Sequence, residues 1–443
     1  MTHDYDAIRA SDGAIRRLRA LHPSLIDLTT GRIERLLRSL GDPHKRLGPV
    51  IHIAGTNGKG STTAFLRAIA EAAGLKAHVL TSPHLVRFSE RIRVAGTLIS
   101  DDELAQRIDE VEAANQDGPI SFFEITTALA FHAFAQTPAD LTLVEVGLGG
   151  RFDATNVFDA PAVSVITPVD YDHVDLLGPG LANIAWEKAG IIKAGRPVVC
   201  ARQPDEARAV IESEAERLDA PLTLMGRDVD AFAEHGRLRV QTPDRLLDLP
   251  PPSLAGDHQF ANAGLATVAA LALGDSRIDE AAIARGVAAA AWPGRMQRLT
   301  AGPLAEMAKA RGADIWLDGA HNPHAGRALA RTCAAMTARD GRPVVLIVGM
   351  LGRKDATGFF EAFTGLAPRI FATAFDSSNA TPARDLARTA RALGLEATGV
   401  HGGVAAALGR ALRASGPPPH VMICGSLRFV GDVLVLSPDT WPT

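Results

Sequence analysis

The length, composition and charge of the chain narrow its class before any motif is considered. Its 443 residues exceed what one hydrophobic core usually holds, so we expect two domains. A net charge of -4 argues against a nucleic-acid partner, and three scattered cysteines without metal or redox spacing favour a reduced cytoplasmic protein. Neither a secretion signal nor an apolar run of ~20 residues is found, so we expect no membrane partner. We also expect a monomer.

An apolar run, a glycine-rich turn and a helical pattern follow one another over residues 49–63. This order predicts a phosphate cradle, because glycines let backbone N–H groups approach an anion at a helix N-terminus. The lysine of the turn would add a full charge, and the serine hydroxyl could reach Mg²⁺. The motif departs from G-x-x-x-x-G-K-[ST], which leaves an ordinary strand-to-helix turn as the alternative. The predicted ATP-binding residues of this turn are Asn57, Gly58, Lys59, Gly60 and Ser61.

Apolar strands then alternate with helical patterns as far as residue 291. The strands are apolar on both faces, which is typical of a parallel sheet covered by helices. We therefore predict an α/β fold whose N-terminal domain is a P-loop parallel-sheet ATPase, interrupted over 222–250 by a small β insertion. Strands are predicted at 77–81, 141–146, 163–169 and 197–201, and helices at 61–73, 101–115, 124–135, 204–218, 259–273 and 279–291.

Pro293 and Gly294 break the helical pattern, so we predict a domain boundary there, with domains 1–293 and 294–443. A second alternation follows and predicts a smaller, Rossmann-like C-terminal α/β domain. No G-x-G-x-x-G follows its first strand, so no dinucleotide is assigned to it. Its predicted strands are 315–317, 344–348, 370–375 and 421–424, and its predicted helices are 323–338, 355–366, 382–393 and 402–414.

Acidic or metal-capable segments of the first domain are placed where strands are predicted to end, which is where α/β sheets hold ligands. Glu145 would be costly to bury alone, and Mg²⁺ bridging it to phosphates would remove that cost. His173 is equally well explained as a hydrogen-bonded structural histidine, and Lys188 alone would usually be a solvated lysine. The four segments are 81–85, 145–156, 170–174 and 186–193.

In the second domain, the segment Asp318-Gly-Ala-His-Asn-Pro323 follows a strand and opens a helix. Asp318 and His321 could face a substrate, while Asn322 could cap the helix with Pro323 at its first position; both can hold together. Arg295 could reach a phosphate, although a solvated linker arginine is the simpler interpretation.

Together these motifs resemble the folylpolyglutamate synthase and dihydrofolate synthase family, within the Mur-type ATP-dependent amide ligases. The matching segments run in order from Gly55 to Pro323, and residues 21–28 also look like the family. They are G-T-N-G-K-G-S, T-S-P-H, E-V-G-L-G-G-R-F-D-A-T-N, D-H, E-K-A-G-I-I-K, H-Q-x-x-N-A, P-G-R and D-G-A-H-N-P. The resemblance implies that ATP phosphorylates a carboxylate and that glutamate then attacks the acyl phosphate. The implied substrates are ATP, L-glutamate, and dihydropteroate or reduced folates, as in a bifunctional enzyme.

The resemblance also implies roles for single residues, with two magnesium ions and ATP as co-substrate. Magnesium ligands would be Ser61, Ser82, Glu145, His173 and Lys188, the last as a carbamylated lysine that offers oxygen instead of a charge. ATP would further contact Asn262, Arg295 and Asp318. The pterin would be held by Leu21, His22, Phe123, Asp153 and Ala154, although Phe123 could equally be a core residue. The catalytic set would be Lys59, Lys188, His173, Asp318 and His321.

Two alternative functions are weighed against this interpretation. A Mur-type peptidoglycan ligase would need a separate N-terminal domain, and only 54 residues precede Gly55, close to the lower limit for a domain. A non-ligating nucleotide-binding regulatory protein would explain Lys59 and Ser61. It would leave the second-domain residues Arg295 and Asp318 without a role.

Overall fold

The computed structural model of the chain describes residues 13, 15–22, 29–413 and 416–441. These residues form two compact units. The first comprises Met1–Ser253 with Phe260–Ala291, and the second comprises Leu254–Gln259 with Trp292–Thr443. The boundary between residues 293 and 294 stays a prediction.

An eight-stranded sheet organises the first unit. Its order is β4-β3-β2-β5-β1-β6-β7-β8, with parallel pairing from β2 to β8 and an antiparallel edge formed by β3 and β4. β1 lies between β5 and β6, so the loops that follow these three strands emerge side by side. The strands are β1 Val50–Ala54, β2 Ala77–Leu80, β3 Ile92–Val94, β4 Thr97–Leu98, β5 Leu141–Glu145, β6 Val163–Ile166, β7 Val198–Cys200 and β8 Leu222–Leu224.

Helices pack on this sheet through apolar cores that contain residues such as Ile108 and Phe131 in one cluster and Ile184 and Ile211 in another. A capping box starts the helix that carries Phe123, because Ser121 and Glu124 satisfy each other's backbone N–H groups. The helices are α1 Gly31–Ser39, α2 Lys59–Ala72, α3 Asp101–Asn115, α4 Phe122–Phe134, α5 Val174–Leu177, α6 Leu181–Ala189, α7 Asp205–Arg217, α8 His258–Ala272 and α9 Glu280–Ala289.

The β insertion predicted over 222–250 is present as an antiparallel three-stranded sheet, although the first of its residues complete β8 of the main sheet. Its outward residues alternate with buried leucines and valines, which is the pattern of a sheet with one covered face. The three strands are β9 Asp230–Glu234, β10 Arg237–Gln241 and β11 Leu246–Leu249.

The second unit contains a six-stranded sheet of order β12-β13-β17-β14-β15-β16, parallel except where β12 pairs with β13. Asn322 caps α11, with Pro323 at the first helical position, as predicted. The strands are β12 Gln297–Leu299, β13 Asp314–Leu317, β14 Val344–Val348, β15 Arg369–Thr373, β16 Ala397–Val400 and β17 His420–Cys424. The helices are α10 Pro303–Lys309, α11 Pro323–Asp340, α12 Ala356–Glu361, α13 Ala383–Ala392, α14 Gly403–Ala411 and α15 Leu427–Val435.

The predicted α/β class is confirmed, with a parallel sheet in the first unit and a separate α/β sheet in the second. The expectation that residues 186–193 follow a strand is wrong, because this segment starts within α6. Several short elements were not predicted, among them β3 and the edge strands β4, β12 and β16. All three cysteines are buried as free thiols. Within the described ranges no helix combines the length and the apolar character needed to cross a bilayer.

Candidate active site

The glycine-rich turn lies between β1 and α2, and its backbone conformation requires glycine. Gly55 has φ 145° and Gly58 has φ 91°, in the range that side chains disfavour. A Cβ on Gly58 would lie 2.6 Å from Asn262 Oδ1, and a Cβ on Gly55 would collide with Thr167. Asn262 thus lies directly against the turn, and its ATP-binding role stays a prediction. The first N–H groups of α2 have no partner within the helix and can receive an anion.

Two lysines converge on one carbonyl beneath this turn. Lys59 Nζ donates to Gly55 O at 3.0 Å and to Thr56 O at 3.3 Å, and Lys188 Nζ donates to the same Gly55 O at 3.1 Å. Lys188 is only 4% exposed, so it is a buried lysine and not a solvated one. Burial, followed by repulsion from Lys59, lowers the pKa of Lys188 to about 7. A sizeable fraction of this amine is therefore neutral near physiological pH.

The predicted metal ligands Ser82 and Glu145 lie together where β2 and β5 end. Glu145 is the last residue of β5 and is 5% exposed, and the Ser82 backbone N–H donates to its Oε2 at 3.3 Å. Ser61, in the first turn of α2, is also buried. A buried carboxylate with hydroxyl groups nearby fits a hard cation that keeps phosphate and water oxygens among its ligands.

His173 is not gathered into a compact cluster with other metal-binding side chains. Its backbone is left-handed, with φ 53°, its side chain is 42% exposed, and its Nε2 lies 3.9 Å from Asp172 Oδ1. Among the described residues no three His, Cys, Asp or Glu side chains are grouped so as to hold a metal ion. A cation bound here would therefore need oxygen atoms from nucleotide and water in addition to the few that the protein offers.

The predicted pterin-binding residues show different degrees of exposure. Phe123 packs its ring against Gly147, where any Cβ would collide with it, and lines a small cavity together with Ser82 and Glu145. Leu21 is 61% exposed, whereas His22 is buried. The remaining part of the early segment, residues 23–28, lies outside the described residues.

Asp153 is a buried carboxylate that is already engaged by its own loop. It accepts hydrogen bonds from Leu148 N at 2.8 Å, Thr155 Oγ1 at 2.6 Å and Thr155 N at 3.0 Å. Burial raises the pKa of Asp153 despite these hydrogen bonds. The neighbouring Ala154 is also buried. The observed hydrogen bonds show that Asp153 stabilises the conformation of its own loop.

In the second unit, the predicted residues cluster at the end of β13. Asp318 accepts from Met296 N at 2.9 Å and from Ala320 N at 2.8 Å. Arg295 Nη1 donates to Gly294 O at 3.1 Å, and His321 Nδ1 lies 2.7 Å from Gly319 O. Because a carbonyl can only accept, this nitrogen of His321 carries the proton.

The sequence analysis missed several side chains at these two places. His258 belongs to the second unit, and burial lowers its pKa, with Asp318 opposing and Arg295 reinforcing the shift. In the first unit, Arg91 lines the same small cavity as Phe123. The segment F-S-E-R-I offered a signal for Arg91, because an arginine beside a strand predicted to end at a ligand site is a candidate anion partner.

Comparison with known domain families agrees with this geometry. The Mur ligase middle domain matches residues 53–270, and the Mur ligase glutamate ligase domain matches residues 294–427. The chain is therefore an ATP-dependent ligase of the Mur type, and the predicted enzyme class is confirmed.

Similarity to individual proteins narrows the family. A dihydrofolate synthase/folylpolyglutamate synthase of Bacillus subtilis is 37% identical over 80% of this chain and 83% of its own. The structure of Escherichia coli FolC in complex with DHPP and ADP has TM-score 0.86 and 31% identity, covering 97% of this chain and 98% of that chain. A bifunctional enzyme of Yersinia pestis, complexed with AMPPNP and Mn, has TM-score 0.84 and 31% identity, covering 96% and 97%. The chain belongs to the dihydrofolate synthase/folylpolyglutamate synthase family, which favours the folate ligase interpretation over both alternatives.

Proposed function

We propose that this protein is a bifunctional dihydrofolate synthase and folylpolyglutamate synthase. It transfers the γ-phosphate of ATP to the carboxylate of dihydropteroate or of a reduced folate and releases ADP. The amine of L-glutamate then attacks the acyl phosphate, and an amide and inorganic phosphate are formed. The observation that carries the proposal is the glycine turn with Lys59 after β1, with the buried Glu145 at the end of the neighbouring strand β5, together with membership of the family.

The first unit is proposed to bring together two anions, the γ-phosphate of ATP and the carboxylate of the substrate. The first N–H groups of α2, with Asn57, Gly58 and Gly60, cradle the phosphates, and Lys59 offsets the charge that develops during transfer. Asn262, which lies against Gly58, holds the nucleotide. A divalent cation bound by Ser61, Ser82, Glu145 and His173 would neutralise the phosphate oxygens.

Lys188 is proposed to act as a carbamate. Its neutral amine can add to CO₂, which replaces a buried cation by a carboxylate-like anion whose oxygens suit Mg²⁺. The support is that Lys188 is buried, that its pKa is about 7, and that no carboxylate in the described part of the chain lies within ion-pair distance of it. Repulsion from Lys59 would become attraction once Lys188 is carbamylated.

The substrate acid is proposed to lie along Phe123, whose ring offers a flat apolar face for a pterin or benzoyl group. Leu21, His22 and Ala154 complete this surface. Asp153 is proposed to shape the surface through its loop, since its oxygens already accept several hydrogen bonds.

Arg295 and Asp318 of the second unit are proposed to contact ATP, and His321 to act near the incoming glutamate. Two magnesium ions, a monomeric state, a cytoplasmic location and the domain boundary at 293 remain part of the proposal. The pattern of cysteine use supports the location, because all three thiols are reduced and buried.

The test is to incubate purified protein with ATP, Mg²⁺ and glutamate and to offer dihydropteroate and tetrahydrofolate separately. Mass spectrometry should find one added glutamate on dihydropteroate and one or more on tetrahydrofolate, and ADP should form only when acid and glutamate are both present. Lys45→Ala is a matched control for Lys59→Ala, because the Lys45 side chain is 59% exposed. If glutamate is added to tetrahydrofolate but not to dihydropteroate, the proposed dihydrofolate synthase activity is wrong. ADP release that depends on neither substrate would contradict ligation.

A further inference from the structure

Arg91 is held at the rim of the first sheet by contacts that leave the end of its side chain open. It closes a short 3-10 helix, Phe88–Arg91, directly before β3. Its backbone oxygen accepts from Thr81 N at 2.9 Å, and its Nε donates to His84 Nδ1 at 2.9 Å. The guanidinium carbon lies 5.3 Å from the centre of the Phe88 ring. These contacts fix the direction of the side chain without using its two terminal nitrogens.

Arg91 is one of the residues that line the small cavity, together with Phe123, Ser82 and Glu145. In the described part of the chain, Arg91 forms no ion pair, and neither of its terminal nitrogens is among the buried polar atoms sealed from solvent. Burial and repulsion from Arg19 lower the pKa of Arg91 to about 10, while Glu145 opposes the shift. The group therefore stays protonated at neutral pH.

A protonated guanidinium beside an aromatic ring is suited to bind an aromatic carboxylic acid. Its planar fork of N–H donors matches both oxygens of a carboxylate, and the ring face suits a flat aromatic body attached to that carboxylate. Glu145 in the same cavity would repel an acid substrate. A fixed cation on the cavity wall offsets that repulsion and holds the acid near the end of β5.

We propose that Arg91 binds the carboxylate of the aromatic acid substrate and so selects acids over their uncharged analogues. The inference rests on the proposed function for the identity of the acid, and it adds a residue that the sequence analysis did not assign. Arg91 orients the carboxylate toward the glycine turn, and it compensates one of the two negative charges that must approach each other.

Two other roles for Arg91 make different predictions. If its role is only to cover the Phe88 ring, its loss should weaken every ligand of the cavity equally. If its anion is a nucleotide phosphate, its loss should weaken ATP and leave the preference for acids intact. The measurement must therefore distinguish binding of the substrate carboxylate from packing on the Phe88 ring and from binding of the nucleotide.

Arg93 is a matched control two residues further along the chain. It lies in β3, directly after the 3-10 helix that Arg91 closes, and burial lowers its pKa to about 10 as well. Its Nη1 donates to Gly96 O at 3.2 Å, away from the residues that line the cavity. Replacing Arg93 removes the same charge and the same aliphatic stem from a position two residues away.

The test uses calorimetric titration of the full chain with dihydropteroate and with the analogue that lacks its carboxylate. One series contains Mg²⁺ and a non-hydrolysable ATP analogue, and a second series omits both. The wild-type protein should bind the acid roughly 10- to 100-fold more tightly than the analogue, as expected for a charge-assisted bidentate pair. Arg91→Ala should abolish this ratio, Arg91→Lys should retain part of it, and Arg93→Ala should preserve it. Binding of the ATP analogue should be unchanged in all variants.

Equal weakening of both pterin ligands by Arg91→Ala, or weakening of nucleotide alone, would overturn the inference. If Arg91→Ala lowers the unfolding temperature, Arg91→Gln is used in its place, because glutamine keeps part of the aliphatic side chain and removes the charge. Failure of the inference is distinguishable from failure of the proposed function. In the first case the wild-type protein ligates glutamate while the acid preference survives in Arg91→Ala. In the second case the preference depends on Arg91, but no ligated product forms.

Discussion

Two buried basic side chains, one in each unit, have opposite surroundings. In the first unit Lys188 has only a neutral carbonyl as its hydrogen-bond acceptor, and it shares that carbonyl with Lys59. In the second unit His420 is 1% exposed, and both of its ring nitrogens face carboxylates, Asp314 at 2.7 Å and Asp340 at 3.1 Å. Among the described residues Lys188 has no carboxylate within ion-pair distance, whereas His420 has two.

The positions of the two groups in their sheets explain the difference. The lysines lie below the loops that follow β1, at the carboxyl ends of parallel strands, where ligands bind in α/β sheets. His420 and Asp314 begin β17 and β13, at the opposite end of their sheet. A poorly compensated charge is costly unless a ligand or modification completes it, whereas a compensated one holds strands together. Changes at the first place should therefore alter activity, and changes at the second should alter stability.

The largest expected effect is that of Lys59→Ala, which should abolish measurable ligation, a loss of at least ~10³-fold. The reason is the proposed role of the lysine charge in phosphoryl transfer, which the truncation removes. Ligation is measured as product formation, and the thermal unfolding midpoint should stay within a few degrees of the wild type. A correctly folded variant with normal turnover would remove the glycine turn from the mechanism.

Lys188→Ala should lower activity on the order of 10²-fold, because the proposed carbamate ligand of the metal is lost. Small carboxylic acids should restore part of the activity by occupying the vacated oxygen sites, whereas Lys188→Arg should remain inactive because guanidinium keeps its charge. Since the pKa of Lys188 is about 7, the neutral amine that reacts with CO₂ accumulates above that pH.

The matching measurement for Lys188 is wild-type activity after removal of bicarbonate at pH 8. Activity should fall and return when bicarbonate is added, and mass spectrometry of intact protein should follow the change. Full activity of Lys188→Ala, or a bare lysine in a high-resolution map of the active enzyme, would contradict carbamylation.

His420→Ala should act on stability alone and cost roughly 2–4 kcal/mol of the free energy of unfolding. Removal of the imidazole leaves Asp314 and Asp340 without their common partner, although Arg342 still reaches Asp314 at 3.3 Å. Denaturant unfolding measures the change, and turnover per folded molecule should be unaffected. His401→Ala is the control, because His401 is exposed and should change stability by less than about 0.5 kcal/mol. A loss of turnover at unchanged stability would show that His420 contributes to activity and not to stability.

The sequence predicted much of this arrangement for identifiable reasons. Glycine spacing marked the turn around Lys59, and the burial cost of a lone carboxylate marked Glu145, because both signals are local. The burial of Lys188 could not be predicted, since it depends on how α6 packs against the Gly55 carbonyl. The hydrogen bonds that Asp153 accepts within its own loop could not be predicted either, because they depend on the directions of backbone N–H groups.

The last and smallest effect concerns His52, a buried histidine of β1 that sharpens the comparison with His420. Its Nε2 lies 2.9 Å from Thr155 Oγ1, and that hydroxyl donates to Asp153 Oδ1 at 2.6 Å. The hydroxyl has one proton, so His52 Nε2 must donate to it, and His52 Nδ1 is left without a proton. This Nδ1 is buried and has no hydrogen-bond partner in the part of the chain that the structure describes. His52 is thus held neutral where His420 is held between carboxylates.

Burial, with repulsion from Lys193, lowers the pKa of His52 to about 3, against 6.5 in an unfolded chain. Between these values the unfolded chain binds a proton that the folded protein excludes. The free energy of unfolding should therefore fall by about 1.4 kcal/mol for each pH unit below 6.5, and this contribution should be constant above 6.5. His52→Gln cannot titrate, so its stability should decline less steeply between pH 6 and 4 while differing by only ~1 kcal/mol at pH 7. Denaturant unfolding across this range measures the two slopes, with exposed His401→Gln as the control that should follow the wild type. Parallel slopes for His52→Gln and wild type would mean that the folded protein binds the imidazole proton as readily as the unfolded chain does, which would contradict a neutral His52.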